Sequence, residues 1–230
     1  MIRILVVDDQ RLVRRCICAK LNMVEDFDVV AEADSGEGAR EVVRKEEIDI
    51  VLMDLNMPGI GGLEATRRLV SSDPGCKVIG LSMYVEGPYP RRFMELGGAG
   101  YVSKDVDSDE LIRAVRTVAG DSPYISPDVA QRIAVNDSLK GSLGGLNDLS
   151  AREIQVLQKI SEGLNIDEIA VAMCLSPKTV AHHRRSLCEK LGAGNDVQLA
   201  TIANAHGITE LGELLAMAPG TAGAAGKGQE

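Results

Sequence analysis

Asp8 and Asp9 close the run ILVVDD, Asp54 closes DIVLMD, and Lys104 follows Ser103 in GYVSKD, so four ionisable side chains stand at the ends of apolar runs of strand length. In an open α/β sheet the carboxyl ends of the strands line one crevice, where such folds place ligands. Three acids and one lysine converging there suit a divalent cation and a phosphoryl group. A phosphoryl group bound for a carboxylate must have its charge neutralised, and Mg²⁺ held by acidic oxygens does this directly. Asp8 and Asp9 are then the metal-holding pair, and Asp54, on the central run, is a nucleophile that forms an aspartyl phosphate. Lys104 brings a mobile positive charge to the phosphoryl oxygens, and Ser82, ending VIGLS, brings a hydroxyl donor. A single Asp after a strand is most often a helix cap or turn residue. Functional groups at the ends of the first, third, fourth and fifth runs together argue for chemistry.

The elements that must position them alternate. Strand-like runs at 2–7, 28–33, 49–53, 77–82 and 100–103 are separated by helical segments at 10–21, 36–45, 62–70, 88–97 and 107–120. Five β-then-α units imply an α/β domain over 1–120, a doubly wound five-stranded parallel sheet, because parallel neighbours need helical crossovers. Ser35 caps the second helix and Asp107 or Ser108 the fifth. Residues 121–147 read as a linker. Within it SPDVAQRIA (126–134) forms one short helix with Pro127 at its first position, and DSLKGSLGGLND (137–148) is rich in Gly and Ser.

From 148 to 207 the pattern is purely helical, an all-α four-helix domain. Ser150 and Glu153 make a capping box for a helix ending at Glu162, with Gly163 as its left-handed stop. A second helix spans 166–174. Ser176 caps a third that runs from Pro177 to Leu191, and a fourth covers 196–205. The tight turn CLSP (174–177) makes the second and third a helix-turn-helix candidate. The tail, 216–230, should be disordered.

Composition sets the outer limits. The 230 residues are 45% hydrophobic with two Phe and no Trp, which suggests aliphatic cores. No stretch approaches 18 apolar residues and the first residues read as a strand, so the expected location is cytoplasmic, with no membrane partner. Five cysteines without a C-x-x-C pair read as reduced structural thiols. The net charge of −9 argues against nucleic acid only on average. Residues 1–120 carry 16 basic and 21 acidic side chains, whereas 177–191 set Lys178, Arg184, Arg185 and Lys190 against Glu189 alone.

In that third helix Val180, Leu187 and Leu191 form an apolar stripe for the bundle, leaving Lys178, Ala181, His182 and Arg185 on the opposite side. A charge-rich helix face is most often merely solvated. This one carries a guanidinium that can grip guanine O6 and N7 in the major groove. Lys178 and the flanking Arg184 are placed for phosphates, beside the amides of the helix N-terminus.

As a set, VVDD, MDLNMPGIGG, the LS of VIGLS and GYVSKD resemble the receiver domain of two-component response regulators, a flavodoxin-like fold, over about 1–120. The resemblance implies Asp54 as phosphoacceptor and Asp8, Asp9, Asp54 and the Asn56 carbonyl as Mg²⁺ ligands. It implies Ser82 and Tyr101 as a switch pair, Ser82 drawn in by the phosphate and Tyr101 following, and Lys104 as the phosphate-pairing lysine. Lys104-Asp105, where receivers usually have Lys-Pro, resembles the NarL/FixJ subfamily, and EGPYPRR (86–92) is similar to GacA/UvrY-type regulators. The string 149–191 resembles the LuxR-type helix-turn-helix, with Glu153, Gly163, Ile169-Ala170, Lys178-Thr179-Val180, His183 and Lys190-Leu191 at family positions. That family places base readers at Ala181, His182 and Arg185 and makes His183 a packing or phosphate contact. The DNA-facing set is then Lys178, Thr179, Ala181, His182, His183, Arg184 and Arg185.

The two resemblances together imply a transcription factor rather than an enzyme. A sensor histidine kinase or phosphotransfer domain phosphorylates it, and the phosphorylated homodimer, its recognition helix freed, binds double-stranded DNA. An aspartyl-nucleophile phosphatase is the less favoured alternative, since such enzymes carry D-x-D where this chain has Asp54-Leu-Asn56. A phosphorylation-gated protein adaptor is the other.

Overall fold

The computed structural model describes residues 1–73, 75–138 and 145–208; the tail expected at 216–230 and part of the Gly/Ser-rich stretch lie outside the described residues. The first domain alternates β1 (Ile2–Val7), α1 (Arg11–Leu21), β2 (Phe27–Ala33), α2 (Gly36–Val43), β3 (Ile50–Asp54), α3 (Gly61–Ser72), β4 (Lys77–Ser82), α4 (Tyr89–Glu95), β5 (Gly100–Ser103) and α5 (Ser108–Ala119). Every residue of β3 is buried, the mark of a parallel strand covered on both faces. Ser35 caps α2 by accepting from the Gly38 N–H, and Asp107, not Ser108, caps α5 by accepting from the Glu110 N–H.

Among the described residues the parallel sheet has six strands, not the five expected, in the order β2-β1-β3-β4-β5-β6. The extra strand, β6 (Tyr124–Ile125), lies inside the segment read as linker. Two residues are too short to carry an alternating pattern, so sequence periodicity gives no sign of it. It is held by backbone bonds from the Tyr124 N–H to Ala99 O and from the Ser126 N–H to Tyr101 O, which cover the free edge of β5. The helix expected at 126–134 runs on as α6 (Pro127–Ser138), burying Val129 completely.

The strand order reverses between β1 and β3, so the chain leaves these neighbours in opposite directions and opens a crevice at their carboxyl ends. Gly62 keeps that crevice tight. A Cβ there would collide with the Asp54 carbonyl oxygen, so only glycine lets α3 begin directly against the end of β3.

The second domain holds α7 (Ala151–Ser161), α8 (Ile166–Ala172), α9 (Pro177–Leu191) and α10 (Asp196–Ala205), matching the four helices expected. The Ser150–Glu153 capping box is formed, and Ser176 caps α9 with Pro177 at its first position. Glu153 also ties α7 to α9 by accepting from Lys190 Nζ (2.7 Å) and from the Ser186 hydroxyl (2.5 Å). Burial alone would raise its pKa, but these donors and the Ser150 N–H outweigh that and hold it at about 2. The stripe on α9 behaves as expected, with Val180 and Leu187 fully buried against the bundle.

Candidate phosphoryl site and nucleic-acid interface

The crevice brings together the residues singled out at the strand ends. Asp8 and Asp54 are buried at the ends of β1 and β3, and Asp9 beside them is exposed. The three carboxylates offer oxygens within 4.8 Å of one another. Lys104 reaches across from β5 and places its ammonium 2.8 Å from Asp8 Oδ2 and 2.8 Å from Asp54 Oδ2. Asp54 Oδ1 accepts from the Asn56 N–H (3.0 Å), and Asp8 Oδ1 from the Gln10 N–H (2.8 Å).

One ammonium does not balance three acids. Burial raises the Asp54 pKa, with Lys104 opposing it, and burial together with the Asp8 charge raises that of Asp9. Burial disfavours the ammonium of Lys104, but Asp54 and Asp8 more than offset this and raise its pKa. The site therefore holds a surplus of negative charge on hard oxygen atoms, a donor set that matches a small divalent cation.

Ser82 ends β4 fully inside, its Oγ accepting from the Tyr84 N–H (3.0 Å). Tyr101 is already packed inward with no exposed surface, donating its hydroxyl to the Tyr84 carbonyl (2.6 Å) with its ring edge-on to Phe93. Tyr101 thus occupies the inward position implied as the outcome of switching.

On α9, Lys178, Ala181, His182 and Arg185 are exposed along one side. Thr179 is half-buried and its hydroxyl bonds that of Ser176 (2.8 Å), a capping role. His183 is half-buried, and burial lowers its pKa. Arg184 turns to α10 and pairs with Asp196 (2.6 Å) rather than standing free at the flank.

A model of the response regulator receiver domain matches residues 4–116, and a model of the bacterial regulatory proteins of the luxR family matches residues 147–203. The chain is 42% identical over 211 residues to the response regulator GacA of Pseudomonas aeruginosa, covering 91% of this chain and 99% of that protein. The chain belongs to the response regulators with a luxR-family DNA-binding domain. The response regulator UvrY of Escherichia coli strain K12 is 40% identical over 209 residues, covering 90% of this chain and 96% of that one. The fold is shared with RcsB of Salmonella enterica serovar Typhimurium bound to promoter rprA in the presence of the phosphomimetic BeF3-. That match has a TM-score of 0.66 and 23% identity, and covers 87% of this chain and 96% of that one. The regulator thus joins a receiver to a helix-turn-helix domain in a phosphorylation-controlled transcription factor. No helix among its described residues is long and apolar enough to cross a membrane.

In this response regulator the residue that sequence reasoning missed is Gln158. It lies on α7, 3% exposed, and its amide reaches into the receiver to bond Asn56, Tyr84 and Tyr89. The signal that could have exposed it is compositional. Gln155 and Gln158, three apart, put neutral amides where a solvated helix face of a charge-rich chain would carry Lys or Glu.

Proposed function

We propose that the regulator takes a phosphoryl group on Asp54 and that this modification controls sequence-specific DNA binding through α9. The observation that carries the reading is the Lys104 ammonium, 2.8 Å from both Asp8 and Asp54 at the mouth of a buried acidic crevice. Asp54 Oδ2 attacks the phosphorus of a phosphohistidine. The O–P bond forms as the N–P bond breaks, and the leaving imidazole keeps the bonding pair. Lys104 exchanges its pairing with Asp54 for the phosphoryl oxygens, and the Ser82 hydroxyl donates to them. Asp8, Asp9, Asp54 and the Asn56 carbonyl are the ligands for Mg²⁺, which when bound neutralises phosphoryl charge. The chain has Asp54-Leu-Asn56 where a D-x-D phosphatase carries its second acid, which favours a phosphoryl group that controls binding over turnover of a phosphoester.

The phosphodonor is a sensor histidine kinase or phosphotransfer domain. A groove of about 310 Å³ between α1 and the start of α5, lined by Leu12, Val13, Ile17, Val106 and Leu111, ends at Lys104. Leu12, 77% exposed, stands at its rim, so a helix carrying a phosphohistidine has an apolar seat beside Asp54. DNA is bound by a homodimer that phosphorylation favours, since a single small module buries too little to read a long site. These events place the regulator in the cytoplasm.

The test uses the full chain, acetyl phosphate, Mg²⁺ and genomic DNA fragments. Phosphorylated protein should select fragments with two half-sites, bind them with a steep salt dependence, and sediment as a dimer. Salt-independent capture of proteins with no DNA retained in either state would favour the adaptor reading instead.

The crevice also sets a pH dependence. A carboxylate whose folded pKa is raised stabilises the fold below its unfolded value and loses that contribution as pH climbs through the folded value. Asp54 and Asp9 are both raised, so the metal-free receiver should lose stability as pH climbs above the ordinary carboxylate range, and Mg²⁺ should restore it. Asp9→Asn should raise the melting temperature in EDTA and erase most of the Mg²⁺-dependent gain, measured by thermal melts at pH 5 and pH 8. A variant that melts lower in EDTA and still responds fully to Mg²⁺ would exclude Asp9 from the metal site.

A further inference from the structure

The two domains are docked through α7 and the ends of α8 and α10 rather than through the recognition helix. Arg152 donates to the Gly59 carbonyl (3.2 Å), and the Gly59 N–H donates to the Ala172 carbonyl (3.0 Å). Gly61, at a positive φ of 66°, leaves no room for a Cβ against Gln155, and a Cβ on Gly87 in EGPYPRR would collide with the His206 carbonyl at the end of α10. The side of α9 carrying Lys178, Ala181, His182 and Arg185 stays exposed throughout. Docking does not cover the DNA-reading face, so the helix already stands free in this arrangement. What docking fixes is where α7 and α10 sit.

Gln158 lies at the centre of this contact. Its Nε2 donates to Asn56 Oδ1 (2.8 Å) and to the Tyr84 hydroxyl (2.9 Å), and its Oε1 accepts from the Tyr89 hydroxyl (2.7 Å). The Tyr84 and Tyr89 rings stack at 4.9 Å, which holds the two hydroxyls on one amide. Each receiver loop bonded to this amide begins at the crevice. The Asn56 N–H is on Asp54 Oδ1, and the Tyr84 N–H is on Ser82 Oγ.

We propose that Gln158 is the residue through which the helix-turn-helix domain senses the state of Asp54, one neutral amide joining both loops of the phosphoryl site. With Asp54 unmodified, the loops stand where a single side chain satisfies Asn56, Tyr84 and Tyr89 together. Phosphorylation at Oδ2 recruits the Ser82 hydroxyl and turns Oδ1, the acceptor of the Asn56 N–H, from a carboxylate into a carbonyl oxygen, so Asn56 and Tyr84 shift and the amide loses partners in a buried place. A buried hydrogen bond is worth about a tenfold change in an equilibrium constant, and three on one amide make the docked state steeply dependent on loop position. Release frees α7 and α10 together, allowing two copies to set their α9 helices at half-site spacing. Control is then exerted on domain arrangement. This inference rests on Asp54 being the phosphoacceptor.

Coupling is reciprocal, so loosening the dock should ease phosphorylation. The test compares full-length wild type, Gln158→Leu, Tyr84→Phe and Asp54→Ala. Tyr84→Phe keeps the ring stack and removes one hydroxyl, so it tests the amide without an added apolar group in the interface. Small-angle scattering without phosphodonor should show both Gln158→Leu and Tyr84→Phe expanded relative to wild type. Labelling by acetyl phosphate with Mg²⁺ should reach half its maximal extent at a lower phosphodonor concentration in both, by about tenfold for Gln158→Leu. Folded Gln158→Leu and Tyr84→Phe chains with wild-type dimensions and a wild-type dependence of labelling on phosphodonor concentration would overturn the proposal while leaving Asp54 phosphorylation standing. Labelling of Asp54→Ala equal to wild type would overturn both.

Discussion

Incubated with acetyl phosphate and Mg²⁺, the wild-type chain should gain one base-labile phosphoryl group by intact mass, and Asp54→Ala should gain none. The expected effect is complete loss, because the three acids of the crevice are not interchangeable. Asp9 is exposed and beyond the end of β1, so a phosphoryl group there would be open to solvent rather than enclosed by the crevice. Asp8 is buried, but its Oδ1 is taken by the Gln10 N–H and its backbone carbonyl by Arg14 (2.6 Å), which leaves it little freedom to approach a donor. Asp54 sits on the central strand with Oδ2 facing the ammonium and Ser82 on the adjoining strand. Lys104→Ala should keep some labelling at a rate lower by about 10²-fold, the usual cost of removing one preorganised donor to developing charge. Equal labelling of Asp54→Ala would move the site elsewhere and remove the basis for the coupling through Asn56.

The parts of this site that could be read from sequence are those with local causes. Asp8, Asp54 and Lys104 announce themselves because a buried parallel strand is a continuous apolar run, and a charge ending such a run has nowhere to point but the crevice. Ser35, Ser150 and Ser176 were legible for the same reason, since a cap satisfies amides two or three residues away. Gln158 was not. Its partners Asn56, Tyr84 and Tyr89 lie 102, 74 and 69 residues off in the chain, and helical periodicity assigns such a glutamine to solvent. β6 escaped for a related reason, being recruited by the edge of β5 rather than by any pattern of its own. Arg184 has a partner that the sequence pattern does not reveal. Its position on the helix marks it for DNA, and Asp196 on a neighbouring helix pairs with its guanidinium.

Arg185→Ala should cost on the order of 1–3 kcal/mol at the cognate operator and relax discrimination at one base pair. Arg185 is exposed one turn beyond Ala181 and His182, and no ion pair holds it among the described residues, so its guanidinium is free for a bidentate contact to guanine. Arg184 must first give up Asp196, so Arg184→Ala should cost less than Arg185→Ala on the same operator. Lys178 lies in the first turn of α9, close to the helix amides, where a phosphate is the natural partner. Lys178→Ala should therefore weaken cognate and random DNA alike and lower the salt slope by about one unit, because one fewer counterion is released. Neither residue belongs to the Val180–Leu187 stripe, so both variants should keep wild-type helix content by circular dichroism. Fluorescence anisotropy on cognate and scrambled duplexes across a salt series separates the two roles. If Arg185→Ala lost affinity equally on every sequence while Lys178→Ala changed base preference, α9 would enter the groove in an orientation opposite to the one its exposed face dictates.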